Sequence, residues 1–549
     1  MKRRSFIRNI SASSLGAFAL ANIPVRVFAK NNALFRAAAA GDNDNVLIFI
    51  QLHGGNDALN TLVPIDRYSD YFYHRANIAL PDSGPRAILN VDDSIPVSDQ
   101  VGLHPDMEDF RTLYREGKAV IVQNVGYPDM NMSHFRGRDL VFMGLDGNDD
   151  DLNVSSGWMG RFLNHEYPDY PEEYPTDEME DPIALELGSD LSLAFHRENG
   201  IPIGLNIPNP EGFFDFINNA GIASDQLYPV EGHAGIELEY LWQFKEMTNI
   251  YAERLQEVYA AGTNSSVEYP EEYTGPAPPN FVHNPLSGQL RIIARLLSGG
   301  IKTRIFLCRI GGFDTHGNQV DQTDHTLGAH AALLYHLSSA IKAFQDDLAQ
   351  LGQEDRVLTM TFTEFGRRVY SNASYGTDHG TSTPVFLFGK ALHGKIHGTN
   401  PDLNDLDGGN MKYNIDYRQI YTSVVQDWFG ADDEAMQETG FDEWVGQKLD
   451  LFGLVSTDDI HLQKNTKSIV LYPNPAKNQV SVKFYNPKQT ETTIVIYDVY
   501  GKKIMERKLG LLTYGYHEIS LQIYDLKRGN YICRVITQNS ERTEQLVVY

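Results

Sequence analysis

The sequence predicts a doubly wound α/β domain on a mostly parallel sheet, followed by a small all-β sandwich. Three observations carry this. Between residues 45 and 454, five apolar runs lack the alternation of a half-buried strand, as expected of strands covered on both faces. Helical periodicity separates several of them. From residue 468 the pattern changes to short β-branched and aromatic runs of period two.

The five runs are VLIFIQL (46–52), AVIVQNV (119–125), RIFLCRI (304–310), VLTMTF (357–362) and PVFLFG (384–389). The clearest helix spans 325–351, with Leu327, Leu334, Leu337, Ile341, Phe344 and Leu348 on one stripe. Residues 238–261 read as another helix. The acidic, Tyr- and Pro-rich stretch 144–182 reads as a surface insertion. Within it, DGNDDDLN (146–153) reads as a solvated loop without the spacing of a calcium hand. Residues 455–467 read as a polar linker.

The 549 residues carry a formal net charge of -26, which argues against nucleic acid and anionic membrane surfaces as partners. It leaves room for a small anionic ester, because a local field can oppose the global one. The two cysteines, Cys308 and Cys533, fall in different predicted domains, so neither a disulfide nor a Cys-rich metal site is expected. The N-terminus reads MKRRSFIR, then a weakly apolar stretch, then Val27-Phe28-Ala29. This order resembles a twin-arginine export signal over residues 1–29, removed after export, with a linker over 30–44. No other run is long and apolar enough to cross a bilayer, so the mature chain is expected to have no membrane span.

At the other end, YPNP, YDVYGK and the spaced set Leu526, Gly529, Tyr531 and Val535 resemble the type A sorting domain of type IX secretion. The resemblance covers 468–549 and implies the type IX machinery as a partner and a cell-surface or extracellular destination.

The chemistry is expected beyond the carboxyl ends of the strands, where open α/β sheets bind ligands. His53 and Asp57 follow the first run; Ser133, His134 and Arg136 follow the second. Asp314 and His316 follow the third, and Glu364 and Arg367 the fourth. Asp378 and His379 lie just before the fifth. Taken singly, Asp57 or Ser133 reads as a helix N-cap, and His316 or His379 as a structural histidine. Together they bring imidazole and carboxylate donors to one edge, which suits a divalent metal, zinc or manganese. His330 and His336 lie on the long helix and read as packing or surface residues.

HGGNDALNTLVP, NMSHFRGRD, GGFDTHGNQ, TEFGRR and GTDHGT stand in the order of the 1501 domain-of-unknown-function family, which the central domain (45–454) resembles. The family's architecture resembles the alkaline phosphatase and sulfatase superfamily. That resemblance implies Ser133 as nucleophile and Asp57, Asp314, His316, Glu364, Asp378 and His379 as metal donors, to which its place after the first run adds His53. His134, Arg136 and Arg367 complete the expected catalytic set. For Asp57, ligand and N-cap both stay open. The middle pair departs from the phosphatases in being Asp-x-His rather than Asp-x-x-x-His, and Glu364 stands where they carry Asp-His. The function implied is an exported metal-dependent hydrolase of phosphate or related esters. The alternative is a non-catalytic surface binding or scaffold protein on the same fold.

Overall fold

The computed structural model describes residues 43–148, 154–188, 191–207, 251–393 and 395–452, and residues 469–549 except 487–489, 500, 513–514, 525 and 538–539. The expected signal, nearly all of the linker after it, and the linker 455–467 lie outside the described residues. So do residues 149–153 of the acidic loop and 238–250 of an expected helix, whose remainder, 251–261, is helical. The chain divides into two compact units, residues 1–452 and 453–549.

The first unit is α/β. Its sheet is formed by β1 (Val46–His53), β2 (Ala119–Gly126), β3 (Ala184–Leu187), β4 (Leu205–Ile207), β5 (Ile305–Gly311) and β6 (Val357–Phe362). A hairpin of β7 (Gly366–Ser371) and β8 (Thr377–Gly380) leads into β9 (Thr383–Phe388). Along the sheet the order is β2-β9-β6-β1-β5-β3-β4. The β1–β5, β1–β6, β5–β3 and β3–β4 pairs are parallel. Only β9 reverses, pairing antiparallel with β2 and β6. Val46 to Ile50 are wholly buried, which explains the unbroken apolar run: no face of β1 meets water.

The helices α1 (Glu108–Arg115), α2 (His134–Met143), α3 (Trp158–Glu166), α4 (Pro285–Ser298) and α5 (Ala329–Gln350) flank the strands. The long helix starts four residues later than its periodicity suggests. Asp324 Oδ1 accepts from the Thr326 N–H and hydroxyl, which favours a turn there, and Gly328 adopts φ +111° immediately before the first helical turn. Both of its histidines are buried: His330 Nε2 meets Asn56 Oδ1 at 3.1 Å and His336 Nε2 meets the Phe281 carbonyl at 2.8 Å.

The stretch 144–182 is not a surface insertion. Trp158, Phe162, Leu163 and Tyr170 are buried in the main core, and Trp158 packs edge-on against Phe49 of β1. Its acidic residues hid four large apolar anchors spaced for a helix and the turn after it.

The second unit has two antiparallel sheets. One pairs Val470–Tyr472, Gln479–Asn486 and Gly515–Gln522; the other orders Lys503–Leu512, Thr490–Asp498, Gly529–Thr537 and Ser540–Val548. Val480, Val482 and Leu521 of the first sheet share a core with Ile494, Ile496, Val535 and Leu546 of the second, the packing of a sandwich. Cys308 and Cys533 are free, buried and in different units. Burial raises both thiol pKa values, so each behaves as a small apolar side chain. Among the described residues, no helix is long and apolar enough to cross a membrane.

Candidate metal centre

The carboxyl ends of β1, β5 and β6 lie together because those strands are parallel neighbours. The hairpin β7–β8 reaches the same edge for a different reason. It precedes β9, the one reversed strand, so its residues emerge where the parallel strands end. Gly54, at φ +125°, lets the loop after β1 pass against the next one: a Cβ there would fall 2.2 Å from the Asp314 amide nitrogen.

Glu364 is the buried anchor of the cluster. Its Oε1 accepts from the Gly54 N–H at 2.8 Å and from His134 Nδ1 at 3.0 Å, with His53 Nδ1 at 3.5 Å. Burial alone would raise its pKa, but the His134 hydrogen bond and the other donors outweigh this and hold it below the usual value. The same hydrogen bond raises His134.

Three histidines turn their Nδ1 atoms outward to acceptors. His134 Nδ1 donates to Glu364, His379 Nδ1 donates to the Met132 carbonyl at 2.9 Å, and His316 Nδ1 lies 3.5 Å from Asp378 Oδ1. Carboxylate and carbonyl oxygens only accept, so in the neutral imidazole each Nε2 is left with its lone pair. All three Nε2 atoms face Asp314. His316 and His379 are 3.2 and 3.5 Å from Oδ1, and His134 is 3.5 Å from Oδ2. His316 Nε2 and His379 Nε2 stand 2.8 Å apart. One donor atom each from His134, Asp314 and His379 lies within 4.8 Å of the other two. Burial lowers the His379 and His53 pKa values, favouring neutral imidazoles.

These donors fit a divalent cation. Ligands 2.0–2.1 Å from a tetrahedral ion lie roughly 3.3 Å apart. The separations among Asp314 Oδ1, His316 Nε2 and His379 Nε2 bracket that value. Outward Nδ1 atoms on carboxylate or carbonyl partners are the usual outer support of metal-bound histidine.

Arg367 braces the cluster from beneath and is fully buried. It donates to the carbonyls of Gly54, Gly55, Phe313 and Thr377, and to Asp314 Oδ1 at 2.7 Å. It is therefore a structural clamp, not the catalytic group expected from the sequence. Burial would raise the Asp314 pKa, but the Arg367 hydrogen bond and charge hold it down.

Asp57 is elsewhere. It precedes the short helix Ala58–Thr61 without capping it through its side chain. Both oxygens accept from Arg75, at 2.9 and 2.8 Å, and Oδ2 also accepts from Gln319 at 2.6 Å. It is half of a buried ion pair, neither a ligand nor a side-chain cap. Ser133 is exposed at the start of α2, between Met132 and His134, and its hydroxyl makes no hydrogen bond among the described residues. Arg136 makes none with the cluster. Sequence reasoning missed Phe365, whose ring lies 4.9 Å from that of His134 and 4.4 Å from that of His379. It also missed Gln319, whose Oε1 accepts from Thr315 and Thr377, both at 3.0 Å, joining the two ligand-bearing loops. Both residues lie inside motifs already singled out, GGFDTHGNQ and TEFGRR.

Comparison with known proteins gives family matches in two places. Residues 242–439 match the family described as "Protein of unknown function (DUF1501)", and residues 470–549 match "Secretion system C-terminal sorting domain". No curated protein matches the chain. Among solved structures, dimeric latent PorU from Porphyromonas gingivalis is 20% identical over 15% of this chain, with a TM-score of 0.13; the match spans only 9% of that protein. A protein in the alkaline phosphatase superfamily from Vibrio parahaemolyticus is 10% identical, covering 88% of this chain and 92% of that one, with a TM-score of 0.35. Alkaline phosphatase from the Antarctic bacterium TAB5 is 11% identical, covering 73% and 99%, with a TM-score of 0.25. The sorting domain places the protein at the cell surface or in the extracellular space. Residues 242–439 thus match a family of unknown function, and a type IX secretion sorting domain follows them at 470–549.

Proposed function

We propose that the exported protein is a metal-dependent hydrolase of phosphate or related esters. One observation carries the reading: three imidazole Nε2 atoms, each ring oriented by an outward acceptor, converge on the Asp314 carboxylate. Two lone pairs facing each other at 2.8 Å repel unless a cation or a proton lies beside them. His134, Asp314, His316 and His379 would hold the ion, with zinc or manganese suited to such donors. When bound, it supplies Lewis acidity and an acidified water or hydroxyl.

The chain's own groups do the rest. Glu364 fixes the His134 tautomer and the Gly54 amide. Arg367 pins the Asp314 carboxylate, so this ligand cannot swing away as substrate charge approaches. Ser133, exposed and flanked in sequence by Met132 and His134, would be the hydroxyl that attacks the ester centre. His53 stands at the rim, its side chain 38% exposed, and burial of its inner face favours the neutral form that can take a proton. The mature protein should carry stoichiometric metal and hydrolyse at least one member of a panel of chromogenic phosphate and sulfate esters. Metal-free protein with an intact pocket and no turnover would favour a binding protein instead.

A further inference from the structure

From Asp378, which orients His316, a run of exposed and half-buried side chains leads away from the metal centre, and beyond Asp378 ester chemistry there does not use it. Asp378 Oδ1 lies 3.5 Å from His316 Nδ1, and the Arg368 charge acts on the same carboxylate. Along β7 the exposed Arg368 and Tyr370 alternate with the buried Arg367 and Val369, so both stand on the outer face. The His74 ring meets Tyr370 edge-on at 5.0 Å, and Tyr73 meets His74 at 5.4 Å. Tyr73 is 82% exposed, Phe72 50% and Tyr370 45%. These rings sit on two elements fixed to each other. Arg75, just after the helix Tyr68–His74, donates to the carbonyls of Val369 and Arg368, at 3.1 and 2.8 Å.

We propose that this strip is a saccharide-binding subsite, so that the ester cleaved at the metal centre is one carried on an oligo- or polysaccharide. The proposal rests on the hydrolase reading for the ester, but the binding is testable without it. A sugar ring has an apolar C–H face that lies flat on a tyrosine, and a hydroxyl edge that needs polar partners. The strip interleaves both: Asp378, Asn372, Asn77 and Ser371 are linked by hydrogen bonds beside the rings. A peptide bound by strand addition would need a free strand edge. The outer edge of β7 offers none, because Arg75 takes the Arg368 and Val369 carbonyls and the Val369 N–H donates to the Gly409 carbonyl at 3.4 Å. The net charge of -26 disfavours nucleic acid.

The test applies the full mature chain to an array of sulfated and phosphorylated oligosaccharides, dimers to octamers, beside a peptide array. Tyr73→Ala and Tyr370→Ala are tested singly and together. Binding should strengthen with sugar chain length and weaken about tenfold for each ring removed, the scale of a contact that matters, while metal content stays that of wild type. Saccharide binding that depends on both tyrosines, in a protein that hydrolyses no ester, would sink the hydrolase reading and leave the strip standing. Ester hydrolysis with no saccharide binding overturns the strip. So does binding that ignores both substitutions, or binding to peptides instead.

Discussion

His316 and His379 come from different loops, yet their Nε2 atoms face each other at 2.8 Å beside a single carboxylate oxygen of Asp314. His316→Ala should therefore lose bound metal, since losing even an outer partner of a ligand typically costs 10–100-fold in affinity and this substitution removes a donor itself. Elemental analysis of purified protein checks this. Ser133→Ala should keep the metal and lose ester hydrolysis. Retention of full turnover in Ser133→Ala would remove the serine from the mechanism.

Asp57 and Arg75 form a buried pair whose members are 1% and 0% exposed. Arg75→Met leaves a carboxylate without its cation and should destabilise the first unit by about 3–5 kcal/mol. Changing both together, Asp57→Leu with Arg75→Met, should recover much of that loss. Denaturant titration of all three proteins separates the cases. Burial pushes the Asp57 pKa up, but Arg75 and Gln319 outweigh it, leaving the value lowered. A lowered carboxylate stabilises the fold above the ordinary carboxylate range and loses that contribution as pH falls through its folded value. The wild type should therefore weaken at acid pH more steeply than the double variant.

His330 acts at higher pH. Burial lowers its pKa from 6.5 to about 4. Between those values the unfolded chain takes up a proton that the folded chain refuses, so stability falls as pH drops from about 6.5 towards 4. His330→Gln should flatten that limb. An unchanged slope in denaturant midpoints across the window would mean that His330 is already protonated in the fold.

A chain ending at Leu454 should fold, because the two units have separate cores, but should stay in the periplasm. Fractionation and circular dichroism of the truncated protein check both halves. N-terminal sequencing of exported protein should begin after Ala29, the end of the small-residue cleavage pattern.

The strands were legible because burial on both faces leaves an unbroken apolar signature, and β1, β2, β5, β6 and β9 all carry it. The reversal of β9 was not, since a strand wrapped in apolar neighbours reads the same in either direction. The cluster was legible as residue types at strand ends: His53, Asp314, His316, Glu364, Asp378 and His379 meet there, with His134 beside them. The fate of Asp57 and Arg367 was not legible. A buried ion pair and a metal ligand present the same carboxylate to the sequence. What distinguishes them is Arg75, on a separate segment with no motif of its own. In the same way, the carbonyls that occupy Arg367 have no side-chain signature at all.

The distances spanned along the chain have a consequence for assembly. His134 meets Glu364 across 230 residues and His379 meets Met132 across 247. Closing such loops yields nothing until the intervening strands have docked, so the donors come together late in folding. A cation cannot act as the seed here, as it does in small metal-nucleated domains. A cation held by these donors would be captured by a sheet already closed, in whichever compartment that closure occurs. The local supply of ions there, more than the relative affinities of the donors, would then decide which element the protein carries.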